Sequence, residues 1–133
     1  MTSSLYDLNV RLIAAVDSLE AACDNLMKAS IDSSEATHWY EKHHTSALIA
    51  VGKTAPNQAM REAVAYESMA PDRATGEAVT IGDLEFAADL AKKVKDAQLE
   101  IVRSKRGVLS AIQTLANLSR EEAAFGRTGP DQG

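Results

Sequence analysis

Leu5, Leu8, Leu12, Val16, Leu19, Cys23 and Leu26 recur at steps of three and four. That spacing lines one side of an α-helix and predicts a first helix from Ser4 to Ala29. Ser3 or Ser4 supplies a capping oxygen, and Asp7 and Asp17 lie nearer the positive end of the helix dipole than Lys28 does. "SIDSSEATHWYEKHHTSALIAVG" predicts a second helix, with Asp32 or Ser33 as N-cap, Glu35 closing a capping box and Gly52 as the stop. "KTAPNQAMREAVAYESMAP" predicts a short third helix, begun by Pro56 in its first turn and ended before Pro71. "APDRATGEAV" reads as a loop.

From Thr80, which can cap reciprocally with Asp83, no proline or convincing stop appears until Gly126. The result is a helix of about 46 residues, or about 69 Å at 1.5 Å per residue. A compact chain of this size has a radius of gyration of only about 14 Å, so a straight helix that long overshoots any single-chain core. Its apolar positions, Ala87, Leu90, Val94, Ala97, Ile101, Val108, Ala111, Leu115 and Leu118, keep a seven-residue repeat. The first helix covers part of that stripe. The remainder calls for self-association through Ile101, Val108, Leu115 and Leu118, or for a bend at Gly107, because glycine weakens helix interiors by about 1 kcal/mol. The expected fold is therefore all-α: a helical hairpin or bundle with a long, coiled-coil-like C-terminal helix, oligomeric. It divides into an N-terminal helical region (1–70), a loop (71–79), the long helix (80–125) and a flexible tail (126–133), all of one domain.

Composition agrees with a single domain, since 133 residues with a net charge of −5 suffice for one modest core and not for two. The lone Cys23 excludes an internal disulfide and reads as a packed thiol in a reducing compartment. No run of about 18 apolar residues exists, and "MTSSLYDLNV" lacks the basic start of a signal peptide. A cytoplasmic protein with no membrane partner is expected.

Charge changes the picture more. From Lys92 to Arg106 six bases (Lys92, Lys93, Lys95, Arg103, Lys105, Arg106) face two acids (Asp96, Glu100), a local +4 on an acidic chain, whereas Met1 to Glu35 holds six acids and two bases. At 100° per residue Lys92, Lys95, Arg103 and Arg106 fall opposite the apolar stripe. Such a line suits a phosphate backbone bound with release of counterions, and oligomerisation would repeat it. The plain alternative is a solvated helix face. In "THWYEKHH", Trp39 and Tyr40 could stack on unpaired bases beside Lys42, His43 and His44, or pack against the first or the last helix.

Sharper chemistries find less support. Glu35-x-x-His38 and Glu41-x-x-His44 each match half of a carboxylate-bridged metal site, but six residues apart on one helix they point about 120° from each other. Gly52-Lys53-Thr54 ends like a phosphate-binding loop, yet position 47 is alanine where the first glycine belongs. No nucleophile with a plausible partner stands out, so no catalytic residue, metal or cofactor is expected.

The order of features resembles a known family. A helical start, "ATHWYEKHHTSALIAVGKTAPNQAMREAVAY", a polar loop and "EIVRSKRGVLSAIQTLANLSREEAAFG" together look like the UvsY recombination mediators of T-even phages. The "LSAIQTL" and "FGRTGP" stretches are also similar to small helical phage early proteins. What the UvsY resemblance implies is a helical protein that assembles through its last helix, binds single-stranded DNA and helps a recombinase displace single-strand-binding protein. By position, Arg103, Lys105 and Arg106 would lie in the basic interruption, and Val108, Ile112, Leu115 and Leu118 in the assembly helix. The expected function is a non-enzymatic, oligomeric mediator holding single-stranded DNA through Lys92, Lys95, Arg103, Lys105, Arg106, Trp39 and Lys42. The alternative is a phage-encoded helical adaptor that binds a host protein and no nucleic acid.

Overall fold

The computed structural model describes residues 5–52 and 54–127. Among them are three helices and one small hairpin: α1 (Leu5–Val51), α2 (Gln58–Glu67), β1 (Met69–Pro71), β2 (Ala78–Thr80) and α3 (Ile81–Arg127). The all-α expectation holds, and no helix described is long and apolar enough to cross a membrane.

α1 corrects the two-helix expectation. Leu5–Val51 contains neither glycine nor proline, so nothing in the backbone interrupts it. Asp32, Ser33 and Glu35 resemble an N-terminus because such side chains compete for exposed amides at helix starts. Here they sit in mid-helix: Asp32 and Glu35 pair with Arg73, and Ser33 is buried. The stop at Gly52 is as expected. Its φ of 52° suits a residue without Cβ, and its N–H donates to the Leu48 carbonyl at 3.0 Å.

α2 starts later than Pro56, at the N-cap Asn57, whose side chain accepts from the Met60 N–H at 2.9 Å. It ends at Glu67, where the Ser68 N–H turns back to the Ala65 carbonyl at 3.1 Å. The segment expected as a loop is a hairpin, with Met69 opposite Thr80, Ala70 opposite Val79 and Pro71 opposite Ala78. Asp72 organises its turn: one carboxylate oxygen accepts from the N–H groups of Ala74 and Thr75 and from the Thr75 hydroxyl. Those bonds, led by the Thr75 amide, hold the Asp72 carboxyl below its ordinary value. Gly76, at φ 73°, completes the reversal. α3 then begins on the expected reciprocal cap, the Thr80 hydroxyl accepting from the Asp83 N–H and the Asp83 carboxylate from the Thr80 N–H, both at 3.1 Å. Helix continues through Gly107. The expected cap at Ser3 or Ser4 and most of the tail lie outside the described residues.

The chain forms two compact units, one of residues 27–97 and one of residues 1–26 with 98–133. In the first, Ala36 of α1 packs with Ala88 and Ala91 of α3, beside Tyr40. Ala70, Ile81 and Leu84 form a second cluster with Trp39, Tyr40 and Tyr66 around it, and Val51, Ala55 and Ala65 a third. In the other unit, α1 buries Leu8, Ala15 and Ala22 at intervals of seven, with Leu12, Leu19, Cys23 and Leu26 half-buried and Leu5 and Val16 exposed. There α3 buries Val102, Ile112 and Ala116, with Lys105 and Leu109 half-buried between them.

This inward line of α3 is not the expected one. In the unit of residues 27–97 it is rich in alanine, which lets helix backbones approach closely, whereas in the other unit it carries Val102, Leu109 and Ile112 beside Ala116. Leu90 and Val94 in one unit, and Ile101, Val108, Leu115 and Leu118 in the other, remain exposed within the chain. Ile112, expected among the assembly residues, is only 6% exposed and belongs to the inward line.

Candidate functional site

In the unit of residues 27–97, α1, α2 and α3 bring three polar side chains together. One oxygen of Glu85 accepts from the Tyr40 hydroxyl at 2.8 Å and from the Tyr66 hydroxyl, and the two phenols are 3.2 Å apart. The Tyr66 and Tyr40 hydrogen bonds pull the Glu85 carboxyl below its usual value. Burial, then its neighbours Tyr66 and Glu85, pushes the Tyr40 phenol well up, and the bond to Glu85 raises Tyr66. His44 stacks on Tyr40 with ring centres 5.3 Å apart, and Tyr66 tilts against the same imidazole. One carboxylate thereby ties three helices, an arrangement built from residues the sequence did not mark for each other.

Trp39 is engaged by its own chain. Its indole N–H donates to the Pro71 carbonyl at 2.9 Å, His43 tilts against the ring at 4.6 Å, and the Lys42 ammonium lies 5.8 Å from the ring centre. The half-buried indole also walls a groove of about 260 Å³ floored by Ala36, Leu84, Leu90, Ala91 and Val94. Arg73 closes the rim, reaching from the hairpin turn to Asp32 and, at 3.3 Å, to Glu35. Stacking on an unpaired base would therefore use only the part of Trp39 this packing leaves open.

A second recess, of about 400 Å³, is polar. Ser30, Ser33, Ser34, Thr37 and His38 of α1 line it with Glu41, and Lys95 of α3 faces them. The hydroxyl residues stand at i, i+3, i+4 and i+7, which puts them on one helix face. Lys95 is half-buried and, among the described residues, pairs with no carboxylate.

The other expected cations are placed as follows. Lys92 is exposed in the same unit as Lys95. In the other unit Arg103 and Arg106 are exposed and Lys105 is half-buried on the inward side. Arg103 makes an ion pair with Glu100 at 2.5 Å, in which both side chains are mostly exposed. No family model, curated protein or solved structure matches this chain. Among the described residues no group of three or more His, Cys, Asp or Glu is placed to hold a metal. Glu35, first half of one Glu-x-x-His unit, is turned to Arg73 instead.

A further exposed line on α3 is apolar. Ile101, Val108, Leu115 and Leu118 are 42–50% exposed on α3, the first three at intervals of seven. Assigning those three to position a of a heptad puts Ala111 and Leu118 at d. The inward residues Val102, Lys105, Leu109, Ile112 and Ala116 then occupy b and e. Arg103 falls at c and Arg106 at f, the positions farthest from an a/d seam.

Proposed function

We propose that this chain is a non-enzymatic helical protein that works as a homo-oligomer, α3 pairing with α3 of a second copy through Ile101, Val108, Ala111, Leu115 and Leu118. The observation that carries this reading is the seven-residue line of large aliphatic side chains that stays exposed while a different line fills the inside. Such a line has the a/d periodicity of a coiled-coil seam, with Ile101, Val108 and Leu115 at a and Ala111 and Leu118 at d. Covering the exposed half of each large side chain contributes on the order of 1 kcal/mol apiece. Ile112 is no part of this seam. Light scattering of the purified protein tests it: a mass of two or more chains is expected, with Leu115→Asp reducing it to one. A wild-type mass of one chain at tens of micromolar would refute the reading.

A second reading keeps the resemblance to the UvsY mediators, in which the oligomer binds single-stranded DNA and serves a recombinase against single-strand-binding protein. It is favoured by the cations of α3. Among the described residues Lys92, Lys95, Lys105 and Arg106 are neutralised by no carboxylate, and of these Lys92 and Arg106 are exposed and accessible to a phosphate backbone. Binding of an oligonucleotide that weakens steeply between two salt concentrations supports this reading. Salt-insensitive binding to a protein partner, with no affinity for DNA, supports the helical adaptor instead.

A further inference from the structure

We propose that the polar recess between α1 and α3 in the unit of residues 27–97 is a binding site for the phosphate group of a phosphate ester, with the Ser33 hydroxyl and the Lys95 ammonium as its principal donors. Ser33 is only 7% exposed, lines the recess, and has no hydrogen-bond partner among the described residues. With no partner inside the chain, this hydroxyl is left to water or to a ligand in the recess. Ser30 and Ser34 add two hydroxyls on the same face.

The charges in the recess are ordered. Ala36 packs with Ala88 and Ala91, and Tyr40 bonds to Glu85, so α1 and α3 run antiparallel here and Lys95 lies toward the Ser30 end. Glu41 stands two turns beyond Ser34, about 10 Å along the helix at 1.5 Å per residue. A cationic, hydroxyl-rich end is thus separated from the acidic one. Several donors converging from two helices match the three or more acceptor oxygens of a phosphate better than the two of a planar carboxylate. A bare ion leaves much of a 400 Å³ recess unfilled, which gives the esterified part of the ligand room toward Thr37 and His38.

This inference deepens the polyanion reading and rests on it only for an oligonucleotide as the source of the phosphate; a nucleoside monophosphate has the same chemistry. The test is an NMR titration of the full-length, ¹⁵N-labelled chain with sodium phosphate and with sodium acetate at constant ionic strength, followed by octathymidylate. Phosphate should move the amide signals of residues 30–37 saturably and acetate should not. Lys95→Met should weaken phosphate binding about ten-fold and Ser33→Ala about three-fold, as loss of a charged and a neutral hydrogen bond implies. Lys95→Arg should retain most of the affinity and guards against a folding defect. Absence of a saturable shift, an equal response to acetate, or undiminished binding by both Ser33→Ala and Lys95→Met overturns the site. Octathymidylate separates the two ideas. Phosphate binding without oligonucleotide binding keeps the site and removes the DNA reading, and oligonucleotide binding untouched by either substitution, with no phosphate binding, does the reverse.

Discussion

Replacing Glu85 by glutamine tests what holds α1, α2 and α3 together. The carboxylate oxygen accepts two phenolic hydroxyls, and a hydrogen bond to a charged acceptor contributes about 1.5–3 kcal/mol against about 0.5–1.5 for a neutral one. The amide of the variant would keep an acceptor but lose the charge, at about 1 kcal/mol per bond. Glu85 is only half-buried and water screens part of the effect, so the expected loss is about 1–2 kcal/mol at pH 7. Urea unfolding followed by circular dichroism at several pH values measures it.

The pH dependence makes the test specific. The Glu85 carboxyl is held below its unfolded value of 4.5, chiefly by Tyr66 and then Tyr40. A depressed carboxyl contributes stability that is complete above the unfolded value and lost as pH falls through the folded one. The deficit of Glu85→Gln should therefore be full at pH 7 and shrink as pH falls below 4.5. Equal stability of variant and wild type at pH 7, or a deficit unchanged at the lowest pH where both fold, would show that the two phenols do not depend on the charge.

Ile112→Ala should cost about 2–4 kcal/mol in the same unfolding assay because it empties a buried position, whereas Leu115→Ala should cost under about 0.5 kcal/mol in dilute monomer and show its effect in light scattering. Gly107→Ala should stabilise by about 0.5–1 kcal/mol, since Gly107 is helical and nothing lies within 4 Å of an added Cβ. Gly52→Ala should destabilise by a similar amount, its φ being 52°. Arg103→Glu with Arg106→Glu should leave folding and mass unchanged and flatten the salt dependence of oligonucleotide binding; unaltered binding removes these arginines from the DNA reading.

The start and the length of α3 were legible because their signals are local: Thr80 and Asp83 bond to each other's backbone within four residues, and no proline interrupts the helix they open. Gly52 was legible for the same reason. Continuity of α1 was not, because Asp32, Ser33 and Glu35 are good capping residues and only Arg73, some forty positions away, gives the two acids another use. The absence of glycine and proline from Leu5 to Val51 was the available counter-signal. The hairpin was hidden because its three-residue strands are too short for alternation to register, and Pro71 argued against a strand. On α3 the large aliphatic side chains predict the core, while the chain buries Ala88, Ala91, Val102, Ile112 and Ala116. That line also steps by three and four, but alanine adds little to a hydrophobic pattern and much to close approach. Of the site, the exposure of Lys92, Arg103 and Arg106 was readable from helical register. The convergence of Tyr40, Tyr66 and Glu85, and the facing of Lys95 with Ser33, depend on antiparallel packing that no local pattern encodes.

Burying a line other than Ile101, Val108, Leu115 and Leu118 has a consequence for how α3 can be used. In the unit containing residues 98–127, a helix that buried a and d against its own chain would make self-association through that seam compete with folding. Here folding uses b and e, which leaves a and d free for a second copy and c and f for Arg103 and Arg106. The three uses lie on separate arcs of one cylinder. A second copy docked at a and d therefore covers neither arginine, and each copy added brings its own pair of cations to the outside. Multiplying weak contacts in that way raises affinity for a long polyanion much more than for a short one. Oligomerisation and phosphate binding should accordingly be separable by mutation yet coupled in strength, with Leu115→Asp weakening the binding of a long single strand far more than that of an octamer.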